Sequence, residues 1–310
     1  MESGRARGWR GRDHDDPRGG ERARGQRDLT RIRGRRLALV ALATLALAPG
    51  RAVAQPWPLR TEDPSPVAPG TLVARAGLEA GADAAYPASG LEGTVLRAPL
   101  AFRFGFGRAE FSVDGGYEVL SIDERSPAPL DSMLDVSGDR THDVLDPVVG
   151  LKVRIAEEAG AFPAWSFRIA TRLPAAGNES GLGLDTTDFW LWLLAGKTIG
   201  PVRVAANLGA GVLGIPTRGD RQNDVWGYGL SLVAPLGDGW QAAAEVQGSL
   251  DVRGDTPVGT EERGQARVGV RRAFGPFALD AAILVGLEDP EPDWGAAAGL
   301  ALTFARAFEP

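Results

Sequence analysis

The sequence predicts an all-β protein, a transmembrane β-barrel of the outer-membrane type with about twelve antiparallel strands, preceded by a cleavable signal peptide. Three observations predict this fold. From residue 71 onward, segments with alternating apolar and polar side chains are separated by Gly, Pro and Asp. The connections between these segments are alternately short and long. Beyond the N-terminal region, no apolar run reaches the roughly 18 residues that a membrane-spanning helix requires.

Residues 1–54 are typical of a signal peptide with an extended basic n-region. Arginine-rich sequence continues to Arg36, and the apolar stretch 37–48 ends at Pro49-Gly50. Ala52 and Ala54 give the small-x-small pattern of a cleavage site, so cleavage is predicted after Ala54. The alternative is a disordered arm followed by a short core helix.

Residues 55–70 are rich in proline, which removes backbone donors and prevents regular strand pairing. We therefore expect an extended periplasmic tail that leads into the barrel at residues 71–308.

The barrel region contains twelve segments with the period of two that is typical of strands with two different faces. An even number is what single-chain bacterial barrels require. The predicted strands are 71–81, 95–106, 109–122, 147–157, 164–173, 186–197, 202–213, 225–236, 239–252, 264–273, 277–287 and 295–304.

The lengths of the connections predict the orientation of the barrel. Outer-membrane barrels have short periplasmic turns and longer extracellular loops. The short connections are 107–108, 158–163, 198–201, 237–238 and 274–276. The long connections are 82–94, 123–146, 174–185, 214–224, 253–263 and 288–294. Short and long alternate at every step, which predicts that both termini lie on the periplasmic side.

The two faces of each strand differ in polarity. In the ninth segment, Trp240 and Val246 share an apolar face with three other residues, while Gln241 and Glu245 lie on the opposite face. The apolar face is expected to meet lipid, because Arg there near mid-membrane costs roughly 2–4 kcal/mol. Trp165, Trp240 and Trp294 lie near strand ends, where interfacial aromatic residues are expected.

The final strand carries Phe304, and Phe308 lies two residues before the end of the sequence. Such an amphipathic, aromatic terminal strand is the usual signal for the outer-membrane assembly machinery, which is therefore a predicted partner. Membrane lipids and lipopolysaccharide are the other expected macromolecular surroundings.

The composition argues against several classes of function. The chain has no cysteine, which excludes disulfides and thiolate chemistry. After removal of residues 1–54 the chain keeps 21 basic and 34 acidic residues, a net charge near −13, so nucleic acid is not an expected partner.

Beyond the leader, His142 is the one histidine, and it lies in the predicted loop 123–146 among several aspartates. This cluster could bind a divalent cation or form a hydrolytic Asp/His pair, but a solvated acidic loop is favoured. A barrel phospholipase would need a His–Ser pair on a lipid-facing strand, and no predicted strand contains His. We predict no catalytic residue, no metal and no cofactor.

Charged and aromatic side chains on the inward face are the candidate lumen-lining residues. They are Arg75, Arg97, Arg103, Glu118, Lys152, Arg154, Arg168, Arg172, Trp190, Trp192, Arg203, Asn207, Glu245, Arg267 and Arg271. They could form a structural ion-pair network or a selectivity lining. Since bases outnumber acids on this face, an anion or a phenolate-like solute is a reasonable guest. Trp190 and Trp192 could stack on an aromatic solute if they face inward, but their strand is apolar on both faces.

Several short patches resemble the outer-membrane family named for the MetA pathway of phenol degradation. Thr61-Glu62-Asp63-Pro64 is followed by Val67-Ala68-Pro69-Gly70 and Glu79-Ala80-Gly81. Further patches are Arg172-Leu173-Pro174, Gly181-Leu182-Gly183, Thr187-Asp188-Phe189 and Ala206-Asn207-Leu208-Gly209. The chain departs from the family pattern at Trp190 and Trp192, because smaller residues are expected at these two positions. The resemblance implies a transport or channel role and no active-site residues.

The predicted function is passive passage of a small solute, aromatic or hydrophobic, across the bacterial outer membrane. The alternative is a closed structural or surface-interaction barrel without transport.

Overall fold

The computed structural model describes residues 59–305, which form a closed barrel of twelve antiparallel strands. Strand β1 closes the sheet by pairing with β12 along its length. The predicted fold class is therefore confirmed. The signal peptide with its cleavage after Ala54, and Phe308, lie outside the described residues. Within the described part of the chain, no helix is long and apolar enough to cross a membrane.

The strands follow one another around the barrel in chain order. They are β1 Leu72–Tyr86, β2 Leu91–Phe106, β3 Ala109–Arg125, β4 Arg140–Ala156, β5 Ala164–Arg172, β6 Asp188–Ile199, β7 Val202–Gly214, β8 Gln222–Gly237, β9 Trp240–Asp251, β10 Arg263–Phe274, β11 Phe277–Gly286 and β12 Trp294–Phe304. Short 3-10 helices, Asp131–Met133 and Asn178–Ser180, lie in the connections β3–β4 and β5–β6.

Two ends of the barrel differ in their connections. The short-turn end carries 107–108, 157–163, 200–201, 238–239 and 275–276, and the loop end carries the other connections. At the β8–β9 turn, Gly237, Asp238 and Gly239 have φ of 92°, 50° and 79°. This left-handed run suits glycine and aspartate, and it reverses the chain within two residues.

Strands β1 to β4 extend further at the loop end than the sequence predicted. The predicted loop 82–94 is instead a hairpin with a four-residue turn, since Tyr86 pairs with Leu91. Strand β4 begins at Arg140, inside the predicted loop 123–146. The reason is an apolar cluster at this end, in which Leu91 and Leu120 pack against Leu182 of the β5–β6 loop. This cluster stabilises strands beyond the expected apolar band.

Successive side chains along each strand point in opposite directions, so one set forms the outer wall of the barrel and the other set forms the inner wall. In β6, Phe189, Leu191 and Leu193 are exposed, whereas Asp188 and Leu194 are buried inside. Trp165 and Trp240 begin strands at the short-turn end, and Trp294 begins a strand at the loop end. The outer wall therefore has an apolar middle with tryptophan at both ends, as expected for a lipid interface.

Arginine at the outward position 193 tests this assignment. Leu193 lies near the middle of β6, so we expect Leu193→Arg to lower the free energy of unfolding by about 2–4 kcal/mol. Leu250→Arg, at the loop end of β9, is expected to cost only about 0–1 kcal/mol. Equilibrium unfolding in phospholipid vesicles measures both changes. Equal costs at the two positions would contradict a lipid-facing outer wall.

Candidate functional site: the charged lumen and its inner segment

The barrel register places every predicted lumen-lining residue on the inner face, because each pairs across the sheet with another inward position. Arg154, for example, pairs with fully buried Ser166 and forms an ion pair with Glu157 close to the short-turn end. Arg75 and Arg271 lie near Asp280, and Arg271 Nε is 3.7 Å from its carboxylate. The other members divide into groups described below.

One group of ion pairs joins β1, β2, β3 and β10. Arg97 lies 3.1 Å from Glu118 and 3.4 Å from Glu79. Arg267 donates to Glu79 at 2.8 Å, and the Tyr86 hydroxyl donates to Glu118 at 3.0 Å. These contacts form a network across the inner wall, so the charges of this region are mutually satisfied.

Arg172 fastens the loops to the inner wall. Its guanidinium contacts Asp188 at 2.6 Å and also pairs with Asp146. Asp146 accepts hydrogen bonds from the backbone amides of Ala175 and Ala176 at 2.9 and 3.0 Å. The β5–β6 loop is thereby folded inward over the lumen.

Residues 59–70, here called the inner segment, run inside the barrel. The sequence predicted a periplasmic tail for this stretch, but the described part of it contacts strands β1 to β9 in turn. Proline does prevent strand pairing here, as expected. The segment lies inside because its acidic side chains and amide groups find partners on the wall, so that it occupies the short-turn half of the lumen.

Glu62 lies at the centre of this contact. Its carboxylate is 3.1 Å from Lys152 Nζ and 3.2 Å from Arg168 Nε. Its backbone amide donates to Asn207 Oδ1 at 2.7 Å, and its carbonyl accepts from Asn207 Nδ2 at 2.8 Å. Both the side chain and the peptide group of Glu62 are therefore recognised by the wall.

Asp63 forms a bidentate pair with Arg203, at 2.6 and 3.1 Å. Arg203 also contacts Glu158 of the β4–β5 turn at 2.7 Å. Burial acts to raise the pKa of Glu158, but hydrogen bonds from Lys197 and Thr198 outweigh it and lower the pKa to about 2. Glu158 therefore stays ionised at neutral pH and helps to hold the Arg203 guanidinium in position.

The first residues of the inner segment are held on the opposite side of the lumen. The fully buried Glu245 carboxylate accepts hydrogen bonds from the amides of Arg60 and Thr61 at 2.7 to 2.9 Å. Leu59 packs against Val233 and Ala243. The segment is therefore fixed at both sides of the lumen, which it crosses in an irregular, extended form.

The structure settles which way the two central tryptophans point. Trp190 and Trp192 face inward and stack with ring centroids 5.1 Å apart and planes inclined by 16°. Their rings lie against Gly209, Gly211 and Gly227 of β7 and β8, where any β-carbon would overlap an indole. Large rings fit here because the neighbouring strands carry glycine. The result is a flat aromatic surface on the inner wall.

A cavity of about 510 Å³ lies between the inner segment and the loops. Arg60 and Arg75 line its inner part, Trp190 lines its side, and Leu182 and Glu291 come from the loops. Burial acts to raise the pKa of Glu291, but Arg263 and other nearby arginines lower it. The volume is within the range of small-molecule sites.

His142 requires a correction. It lies on β4, not in a loop, because that strand extends beyond its predicted start. Its side chain is exposed on the outer face, with Nδ1 2.7 Å from the Tyr117 hydroxyl. The sequence argument against a barrel phospholipase, that no strand contains a histidine, is therefore wrong.

Asp143 and Asp146 were predicted in a loop but lie on β4, where they hold the β5–β6 loop and Arg172. Asp143 accepts the Gly177 amide at 3.0 Å, and Asp146 pairs with Arg172. Within residues 59–305, no group of three or more His, Asp or Glu side chains is arranged to hold a metal ion.

Sequence reasoning missed the inner segment, together with Glu62 and Asp63 as lumen residues. One signal could have indicated them. The predicted inward set has more bases than acids, and a surplus of buried positive charge requires carboxylates from elsewhere in the chain.

Comparisons with known proteins bear on the architecture. No protein-family model matches the chain, and a search of curated proteins also gave no match. Among solved structures, the COG4313 outer membrane channel from Pseudomonas putida F1 is similar, with a TM-score of 0.56 and 12% identity over 81% of this chain and 100% of that chain.

Two more distant structural matches are a NanC porin and a TodX monoaromatic hydrocarbon channel. The porin has a TM-score of 0.46 at 7% identity over 74% of this chain and 98% of that chain. The TodX channel has a TM-score of 0.36 at 10% identity over 80% of this chain and 93% of that chain. At 12% identity, the similarity to the COG4313 channel shows the fold alone, a closed barrel of the outer-membrane type.

Proposed function

We propose that this chain is an outer-membrane channel for a small solute and that the inner segment closes it at rest. One observation carries the proposal: the barrel interior is a charged lumen with a 510 Å³ cavity, not a packed apolar core. A barrel of only about eight strands can be filled by its own side chains. With twelve strands, this interior has room for the inner segment and for a cavity.

The proposal includes how the protein reaches its membrane. Residues 1–54 direct export and are removed after Ala54, and the terminal strand with Phe304 and Phe308 is recognised by the assembly machinery. Lipid and lipopolysaccharide surround the apolar outer wall. No cofactor and no catalytic residue form part of this function.

The stacked pair of Trp190 and Trp192 supports an aromatic or hydrophobic solute. Their joint surface lies on the inner wall, and Trp190 borders the cavity. Aromatic rings stack favourably on such surfaces, with about 0.5–1.5 kcal/mol per pair beyond area burial. The resemblance to the MetA-pathway family supports a transport role, without naming the solute.

Single-channel recording in planar bilayers tests this function. We expect infrequent discrete current steps from the mature protein, because the inner segment closes the lumen for most of the time. Phenol should reduce this current, because the solute occupies the tryptophan surface. Trp190→Ala with Trp192→Ala is expected to abolish the block but keep the current. Phe189→Ala is the matched control, because Phe189 belongs to the same strand and faces outward.

The inner segment also favours a second candidate, a closed structural barrel, since it blocks the short-turn half of the lumen. Absence of current steps under all solutes, and absence of liposome swelling, would favour that candidate.

A further inference from the structure

We propose that the wall beneath the inner segment is a binding site for a solute with two carboxylates, and that Glu62 and Asp63 occupy it as an internal ligand. The inference rests on the proposed channel function and names its solute class. The site consists of Lys152, Arg168 and Arg203, together with Ser166 and Asn207. A dicarboxylate that enters the site displaces the inner segment and opens the lumen.

The three cations come from neighbouring regions of the wall and converge on adjacent residues of the segment. Lys152 and Arg168 both contact the Glu62 carboxylate, at 3.1 and 3.2 Å. Arg203 contacts Asp63 in the bidentate geometry that guanidinium and carboxylate prefer. Lys152 is only 1% exposed, so this is a desolvated site in which a carboxylate is bound strongly.

The wall alone neutralises these cations only in part, since Arg203 keeps Glu158, and Glu158 is shared with Lys197. Glu110 forms an ion pair with Lys152, but it also pairs with Arg103. Asp114 lies 4.0 Å from Arg168 and forms its shorter contact, 2.7 Å, with Arg103. Removal of the inner segment withdraws two negative charges and leaves a surplus of positive charge, which favours an anion from solution.

Two polar groups complete the site beyond its charges. Asn207 exchanges two hydrogen bonds with the peptide group of Glu62, and the Ser166 hydroxyl donates to the Pro64 carbonyl. These groups can instead bind carboxylate or carbonyl oxygens of a solute. Trp192 pairs in register with Arg168, so an aromatic ring that bears the carboxylates would meet an aromatic neighbour.

The inner segment is suited to displacement. It belongs to no strand, and its proline residues cannot donate backbone hydrogen bonds. It stays attached to β1, whose start is held by Gly70 N to Gly105 O at 2.9 Å. A tethered ligand on a short flexible linker has an effective concentration of roughly millimolar, so competing solutes should act in about that range.

The separate partners of the two bound carboxylates argue for a dicarboxylate. Glu62 uses Lys152 and Arg168, whereas Asp63 uses Arg203. A dicarboxylate can replace both acids at once, whereas a monocarboxylate replaces only one of them and therefore competes more weakly with the segment. Phthalate is therefore the probe, with benzoate as the one-carboxylate comparison and dimethyl phthalate as the uncharged comparison.

Planar-bilayer recording on the full mature chain tests the site. In the wild type we expect phthalate to raise the open probability with a half-effect at about millimolar concentration, benzoate to act far more weakly and dimethyl phthalate to have no effect. Glu62→Gln with Asp63→Asn should conduct without solute and prefer anions. In this variant phthalate should reduce the current, because it binds in the open lumen.

Asp224→Asn is the control, a carboxylate that pairs with Arg253 at the loop end and lines neither the site nor the cavity. It should behave like the wild type. Heat-modifiable migration on a denaturing gel checks that each variant folds. The wild-type response to phthalate tests the site even if the double variant fails to fold.

The outcomes separate the two proposals. If wild type and double variant both conduct, but neither responds to phthalate and the variant shows no anion preference, the dicarboxylate site is wrong and the channel stands. If neither protein passes current under any solute, the channel proposal itself fails.

Discussion

Lys152→Met is expected to lower the free energy of unfolding by about 3–5 kcal/mol, the usual cost of removing one partner from a buried ion pair. Lys152 is 1% exposed and lies 3.1 Å from both Glu62 and Glu110. Without the ammonium group, these two carboxylates face each other with little water to screen them. Equilibrium unfolding in phospholipid vesicles measures the loss.

A second substitution identifies the cause. Glu110→Gln in the Lys152→Met background removes one of the two carboxylates that have lost the ammonium group and should restore part of the lost stability. Lys197→Met is the matched control, because Lys197 pairs with Glu158 at the half-exposed rim. Such a pair is worth about 0–1 kcal/mol. A cost for Lys152→Met no larger than this control would mean that water reaches the pair and that the lumen is open.

The positions of the strands could be predicted because a sheet closed within lipid imposes alternation on every segment. Strand β9 was predicted at 239–252 and is observed at Trp240–Asp251, with Trp240 outside and Glu245 inside as expected. This constraint is local, because the polarity of each residue depends only on whether its side chain faces the lipid or the lumen.

The same constraint weakens at the loop end. Above the apolar band, both faces of a strand can carry polar residues, and alternation no longer marks where the strand stops. His142 and Arg140 lie on such an extension of β4 and were predicted in a loop. The extension pairs with β3, and the Thr141 hydroxyl on it donates to the Ser180 carbonyl of a different loop at 2.7 Å.

The tryptophan strand shows a different limit. Strand β6 is apolar on both faces, so its own residues do not show which face points into the lumen. The neighbouring strands carried the missing information, since Gly209, Gly211 and Gly227 leave room on one face for large rings. Only the register of β6, β7 and β8 brings these residues together.

The inner segment could not be placed from sequence for a further reason. Proline content excludes a strand, but it does not distinguish a tail in solution from an extended chain folded into a cavity. The distinction depends on long-range pairs, such as Asp63 with Arg203 and Thr61 with Glu245. Such pairs are determined by the closed barrel as a whole and leave no local pattern.

A disulfide between the inner segment and the wall is expected to hold the channel closed, and it has the largest functional effect that we predict. A β-carbon on Gly229 would lie 3.4 Å from Cβ of Thr61, close to the usual disulfide range of about 3.5–4.5 Å. The chain has no native cysteine, so Thr61→Cys with Gly229→Cys can form only this bond. Under oxidising conditions, phthalate should then fail to open the channel.

Reduction of that bond should restore the wild-type current in the same membrane. Each single cysteine variant is the control, because it carries the substitution without the link. If the oxidised protein conducts and responds as the wild type does, the solute passes beside a stationary inner segment. Loss of current on oxidation and its return on reduction would instead require that the segment leave the wall, because the link changes nothing else that ions meet in the lumen.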